Sequence, residues 1–482
     1  MQMEKENEPQ MRDNEKKKRR LVREGSRLDL LFDRQFGSSM FSWRQTFSML
    51  LPLILDSFFV MLISMLTTAM ISSSSQDSVS AVSLVSPLYM MIYAVYNAIS
   101  AGGTVVVAQF KGKGEVERTK EVAGQLLIAT PLSAIVACVI LVSVSGPLVQ
   151  GLYGGVGEAV LQKAEQYLIG VAVSMIFLAV YMSGFAVFRG LGETKICLRL
   201  TMIINLLHLI FSFLFINIWK LDIVGSALAL NGARFVGGAA AVWMLLYKKS
   251  VLRVQARHIF RIDYPVLKEI FRIGIPFGME QIFMNGGSML VQMYIASLGA
   301  VCVAANAVGN SAFSLLYAAP CAVANLAVTI VGQCIGAGEY QLARRHGKAM
   351  VVLCTGLTVL SLLVLLPMLP LILKLYQAPA DTLSMIYVIM LIAAVFMPFF
   401  WPASNTMPAV MRAAGDAAFS SYFSLITMWV IRVGLGYIAA ITCGLGLPGV
   451  WLCMCAEWVV RTFVFQKRFK GDRWLQHHKD MT

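Results

Sequence analysis

Charge is what this chain has least of. Asp, Glu, Lys and Arg fill 14% of its 482 positions, where a soluble domain carries about 25%. Hydrophobic residues fill 58%, and mean hydropathy is +0.70. That is more apolar surface than one aqueous core can take up, so a single soluble globular domain is excluded. Histidine is scarce too, with five in the chain. No cluster of acids and histidines gathers near one membrane face, which argues against a membrane-embedded acyl- or glycosyltransferase. No Gly-Lys-Ser/Thr follows a strand pattern, so no nucleotide-binding domain is expected and ATP is not the direct driver. No repeated filter loop suggests a passive channel. The nine cysteines mostly sit inside apolar runs (Cys138, Cys302, Cys354, Cys443), unlike the framework of a short secreted disulfide protein. Cys453-x-Cys455 has no second Cys or His pair nearby, so it reads as helix packing, and no metal or cofactor is expected.

What the chain has is long apolar runs, at roughly 44–71, 78–109, 121–150, 159–188, 196–219 and 222–247, then at 267–297, 302–334, 347–373, 382–411, 417–443 and 446–466. Each is long enough for a membrane-spanning helix, which needs about 20 residues. The pattern predicts an all-α membrane protein of about twelve spans. Net charge is +14, and its placement decides what it means. Basic residues cluster at 111–120, 189–199, 248–272, 344–348 and 467–473, while the alternate loops at 72–78, 150–158, 219–222, 298–302 and 374–381 hold few. The positive-inside rule then puts both termini in the cytoplasm, with an even number of spans. Residues 1–40, with the run Lys16-Lys17-Lys18-Arg19-Arg20, lack the apolar core and cleavage site of a secretory leader. They read as a cytoplasmic tail that touches anionic headgroups; nucleic acid is not an expected partner.

The two sets of runs repeat each other. Leu51-Pro52-Leu53-Ile54-Leu55-Asp56 matches Ile275-Pro276-Phe277-Gly278-Met279-Glu280, 224 residues on. Gln109-x-x-Gly112-x-Gly114-Glu115 matches Gln333-x-x-Gly336-x-Gly338-Glu339, again 224 on. Leu152-Tyr153 matches Leu375-Tyr376, and Arg189-x-x-Gly192-Glu193 matches Arg412-x-x-Gly415-Asp416, both at 223. Each unit has an even number of spans, so the halves enter the bilayer from the same side. This is a parallel repeat: two pseudo-symmetric six-helix lobes around a central cavity, as in a rocking transporter. The expected layout is a tail at 1–40, an N-lobe at 41–248, a linker at 249–266, a C-lobe at 267–470 and a second tail at 471–482. The paired glycines read as helix C-caps at the membrane surface. Arg189 with Glu193, and Arg412 with Asp416, are expected to fix cytoplasmic turns.

These repeated motifs, together spanning nearly the whole chain beyond residue 40, resemble the multidrug and toxic compound extrusion (MATE) family. The resemblance implies a secondary active antiporter that expels amphipathic, often cationic, organic compounds in exchange for protons or sodium. It further implies a cation site late in the first helix, where this chain has Thr67, and an Asn and Asp one turn apart in the fifth helix. His208 and Ser212 stand there, with Asn205 one turn earlier. The acids usual in that half are therefore absent.

The residues themselves nominate others. Asp56 and Glu280 fall near mid-bilayer, about 18 Å along their helices at 1.5 Å per residue. An ionised Asp there costs about 2.5–3.5 kcal/mol. Burial favours the neutral form, so such a carboxyl can take up a proton near neutral pH. Each lies four residues after a proline, Pro52 or Pro276, which removes a backbone donor and favours a kink. Binding at the acid would then change bending at a hinge, unless both acids merely hydrogen-bond neighbouring helices. His208 is the one histidine inside an apolar run, and Asn205, His208 and Ser212 share a stripe at i, i+3 and i+7. That stripe is either a proton site or polar packing between helices. The 28 Met and 27 Phe suit a cavity that accepts varied shapes.

A lipid-linked oligosaccharide flippase of the same superfamily is the rival transporter, but it would line its cavity with several basic residues. Within the apolar runs Arg234, Arg432 and Arg461 are the main basic residues. The expectation is a monomer in a bacterial inner membrane, with small organic molecules and the bilayer as partners and no nucleotide-binding subunit.

Overall fold

A computed structural model describes residues 26–72, 76–155, 157–247, 252–260, 263–375 and 379–475. The basic run at 16–20, together with Lys248, Lys249, Arg261, Tyr376 and the last residues of the second tail, lies outside the described residues.

The chain forms two compact units, Met1–Ser48 and Met49–Thr482. In the first, Ser26 caps the helix Arg27–Phe36, its Oγ accepting from the Asp29 N–H at 3.2 Å, as an N-cap serine should. Asp29 accepts from Trp43 Nε1 at 2.9 Å and from Arg44 at 3.0 Å. The rings of Phe32, Phe36, Trp43 and Phe47 pack together.

Among the described residues, twelve main helices follow one another: α1 (Trp43–Ser72), α2 (Gln76–Lys113), α3 (Val116–Tyr153), α4 (Glu158–Leu191), α5 (Thr194–Ser212), α6 (Asp222–Tyr247), α7 (Tyr264–Ser297), α8 (Ala300–Gly336), α9 (Tyr340–Leu365), α10 (Leu383–Ala413), α11 (Ala417–Thr427) and α12 (Gly446–Lys470). Eleven helical stretches among the described residues are long and apolar enough to span a bilayer. Helix α7 has the length but is too polar by composition, with Lys268, Arg272, Glu280, Gln281 and Asn285 along it. This is the two-lobe, all-α membrane fold that the repeat implies.

The predicted run at 347–373 is broken in the structure. Helix α9 stops at Leu365, and a short helix, Leu369–Leu375, follows. Pro367 accounts for the break, because it has no N–H with which to continue the helical ladder. Helices α5 and α11 pass into π-helix, at Phe213–Ile218 and from Met428 onward, wider turns that cluster at functional sites.

The halves pack by the same scheme. In the N-lobe α4 lies against α2, α3 and α6; in the C-lobe α10 lies against α8, α9 and α12. Leu168, Val171, Met175, Ala179, Val187 and Phe188 of α4 are fully buried. Leu132, Val136, Val139 and Ile140 of α3 and Leu360, Leu363 and Val364 of α9 are exposed. Such apolar stripes face lipid.

The lobes meet where α2 crosses α7 and α8, and the repeated Gln-x-x-Gly-x-Gly motif makes the tightest contact. Gln109 Nε2 donates to the Ala413 carbonyl at 2.8 Å, and Gln333 Nε2 donates to the Gly190 carbonyl at 2.9 Å. Each glutamine thus caps the last turn of a helix in the opposite lobe. A Cβ on Gly112 would collide with the backbone of Gln333, and one on Gly336 with the backbone of Gln109. The C-cap expectation holds for Gly114 and Gly338, both at φ +77°. For Gly112 and Gly336 it is corrected: they are glycine because two backbones touch. Gly336→Val is therefore expected to pry this end apart, with a lower melting midpoint in detergent and loss of most transport. Wild-type melting and transport in that variant would show the close approach to be dispensable.

Candidate functional site

A cavity of about 650 Å³ lies within the N-lobe, between α1 and the faces of α2, α4, α5 and α6. Its size suits a drug-sized molecule. Leu53, Asp56, Ser57, Val60 and Ile63 form its α1 wall, and Tyr89, Met90, Tyr93 and Asn97 come from α2. Asn325 is its C-lobe member among the described lining residues.

Asp56 is its one carboxylate among those residues. One of its oxygens, Oδ1, is buried with no hydrogen-bond partner, and Thr201 of α5 lines the same cavity. A buried acceptor left unpaired is costly, and it marks where a proton or cation would sit. Asn205 and His208 line the same space, the Asn205 amide donating to the Thr201 carbonyl at 2.9 Å. Ser212 does not line it. Its hydroxyl is buried without a hydrogen-bond partner, where α5 gives way to π-helix. For Thr67 the side chain lies outside the described residues.

Arg189, expected to fix a turn with Glu193, faces the cavity instead. It donates to Thr104 Oγ1 at 3.3 Å and Asn325 Oδ1 at 3.5 Å, and its Nε is buried without a hydrogen-bond partner. The turn is made by Gly192 in the left-handed region, φ +84°, which lets its N–H return to the Arg189 carbonyl. Arg234 of α6 also lines the cavity, donating to Ser174 Oγ at 2.6 Å and Tyr89 Oη at 2.7 Å.

The second half is arranged otherwise. Glu280 is buried, accepts from Ser421 Oγ at 2.7 Å and lies 3.9 Å from Arg412. It does not line the N-lobe cavity, so the two acids are not brought together. Arg412 does not pair with Asp416 as the sequence suggested; its guanidinium lies over the Phe277 ring at 4.3 Å. Asp416 is taken by Arg468, with contacts of 3.0 and 3.3 Å. In both halves an arginine at the end of the fourth helix reaches inward toward an acid-bearing first helix, and the glycine alone suffices for the turn. A separate C-lobe cluster buries Glu457 completely between Arg432 and Arg461, each 2.6 Å away.

The MatE family model matches residues 52–214 and 276–438, one match per lobe and again 224 residues apart. The chain belongs to the MatE family. Its curated relatives include an uncharacterized transporter, YisQ, of Bacillus subtilis, 24% identical over 89% of this chain and 94% of that one. A probable multidrug resistance protein NorM of Thermotoga maritima is 22% identical over 89% and 93%. Among solved structures, an outward-facing multidrug resistance MATE family transporter of the MOP superfamily superposes with a TM-score of 0.83 at 17% identity, over 90% of this chain and 96% of that one. These are transporters, and this MATE protein is a multi-pass membrane protein of the efflux type. Sequence reasoning missed Arg189, Tyr89, Tyr93, Asn97 and Thr201 as cavity residues. Asn97 and Thr201, polar residues inside apolar runs, were the signals available.

Proposed function

We propose that this MATE protein is a secondary active antiporter that exports amphipathic organic compounds in exchange for H+ or Na+, by alternating access. The single observation that carries the reading is the unpartnered buried oxygen of Asp56 on the wall of a drug-sized cavity. An ion that binds there neutralises the cavity's one described carboxylate, and a substrate that needs this charge is then released. The rings of Tyr89, Tyr93 and Phe185 and the thioethers of Met90 and Met182 fit varied apolar bodies. Both termini are cytoplasmic in this reading and the membrane is a bacterial inner membrane. The side on which Gln109 and Gln333 join the lobes then faces the cytoplasm, since Lys111, Lys113 and the other basic loops sit at that end. The protein acts as a monomer without a nucleotide-binding subunit, and Pro52 and Pro276 are the weak points at which α1 and α7 bend.

Efflux of a fluorescent amphiphile from proteoliposomes tests this, with a pH gradient and a sodium gradient imposed in turn. Accumulation against the dye gradient under one of them is expected; none under either would refute antiport. Glu280, held by Ser421 and Arg412, is read as fixing α7 against α11. Glu280→Gln keeps an acceptor for the Ser421 hydroxyl, so it should lower the transport rate by less than about tenfold, the effect of one neutral-for-charged hydrogen bond. Loss to background in a folded Glu280→Gln variant would make Glu280 a coupling residue as well.

A further inference from the structure

Arg234 stands twelve residues into α6 (234 − 222), about 18 Å along the helix at 1.5 Å per residue, and is 5% exposed. A guanidinium at that depth is costly and is normally paired. Among the described residues no carboxylate lies within ion-pair distance of it; its polar partners are the neutral hydroxyls of Ser174 and Tyr89. Those two contacts tie α6 to α4 and α2, but a glutamine amide could make such a tie without bringing a charge into the membrane. What an arginine adds is the charge and further N–H donors.

The second half shows how this fold treats such a charge when it is structural. The last helices of the two lobes repeat at 224 residues, the Leu221 N–H bonding the Phe215 carbonyl as the Leu445 N–H bonds the Ala439 carbonyl, so Glu457 lies one residue before the counterpart of Arg234 (458 − 234 = 224). There the charge is fully buried and clamped by two arginines at 2.6 Å. In the N-lobe no such clamp surrounds Arg234 among the described residues, and the side chain borders the cavity instead. The described lining carries two arginines, Arg189 and Arg234, against the single carboxylate of Asp56. The Tyr89 ring lies 5.4 Å from the Arg234 guanidinium carbon, and Tyr93 continues the aromatic surface at 6.1 Å.

We propose that Arg234 is the counter-ion for an anionic group of the substrate, so that the cavity selects zwitterions with an aromatic or apolar body over permanent cations. This rests on the transport reading above and narrows its substrate class. A carboxylate or sulfonate meets Arg234, the body lies along Tyr89 and Tyr93, and any positive group of a zwitterion faces Asp56.

Tetramethylrhodamine, a zwitterion, and its methyl ester, a cation with the same ring system, separate the possibilities. Fluorescence anisotropy with the purified full-length protein in detergent is expected to give a Kd at least about tenfold lower for the zwitterion, the effect of one charge-assisted bond in a dry site. Arg234→Gln should bring the two Kd values together, mainly by weakening the zwitterion, and Arg234→Lys should keep most of the preference. Equal affinities in the wild type, tighter binding of the ester, or no binding of the zwitterion would overturn the proposal. If Arg234→Gln fails to fold, the wild-type preference and the lysine variant still decide. Transport in proteoliposomes separates the two readings. A zwitterion that binds preferentially but moves under neither gradient refutes antiport and leaves this assignment standing. An ester that moves and binds as well as the zwitterion does the reverse.

Discussion

Asp56→Asn is expected to abolish gradient-driven transport, leaving proteoliposomes no better than empty vesicles, while the protein folds and holds substrate only at the reduced affinity of the ion-neutralised state. Asparagine keeps the size of the side chain and an acceptor oxygen, so packing of α1 changes little. What it loses is the ability to be charged and then neutralised. A carboxylate at mid-bilayer costs about 2.5–3.5 kcal/mol relative to a neutral group, a factor of roughly a hundred in any equilibrium that charges or discharges it. A ligand shifts a two-state equilibrium only by its differential affinity for the two states. Asp56 is the one cavity carboxylate among the described residues, so the asparagine variant has no such group to bias the cycle. Wild-type accumulation by Asp56→Asn would place coupling elsewhere.

Glu457→Gln is expected to be the most damaging structural change. Glu457 is 0% exposed and touches Arg432 and Arg461, both at 2.6 Å. Arg461 is further held by Thr427 Oγ1 at 2.9 Å and the Ser424 carbonyl at 2.6 Å, so it cannot simply swing away. Neutralising the acid leaves two buried guanidinium groups unbalanced. Breaking a buried pair by removing one partner costs about 3–5 kcal/mol, a large share of a typical total of about 5–15 kcal/mol. The variant should be lost as aggregate in fluorescence-detected gel filtration. Replacing all three by apolar residues of similar volume should restore a monodisperse peak, since buried ion pairs are often dispensable as a set. A stable Glu457→Gln protein would show that water or another acceptor reaches the cluster.

Much of this fold was legible because a bilayer imposes a strong pattern. The predicted runs 222–247 and 417–443 fall on α6 (Asp222–Tyr247) and on α11 with its π-helical extension to Thr442. Helix α9 was the exception, and Pro367 could have flagged it. The repeat was legible because Gly114 and Gly338, or Gly192 and Gly415, sit at positive φ, where few other residues fit.

The site was harder to read. Near neighbours in sequence suggested pairing Arg412 with Asp416, but at a helix end the arginine turns inward and Asp416 finds Arg468, more than fifty residues away. Asn205, His208 and Ser212 share a helical stripe, yet the cavity takes in the first two and ends before Ser212, which is buried against its neighbours. The asymmetry between lobes left no trace in the motifs. Asp56 and Glu280 follow the same proline at the same spacing, and only packing leaves one beside a cavity and the other against Ser421. Arg234 was visible as an intramembrane charge, but that no carboxylate among the described residues reaches it is a property of three dimensions.

The central claim is that ion and substrate compete through the Asp56 carboxylate. The direct measurement is displacement of bound fluorescent substrate from the purified protein by acid or by sodium, with Asp56→Asn measured alongside. Release from the wild type by one of the two ions, and no ion-dependent release from the variant, is the expected result. Substrate that stays bound in the wild type whatever the pH or sodium concentration, or that is released equally from both proteins, would contradict it.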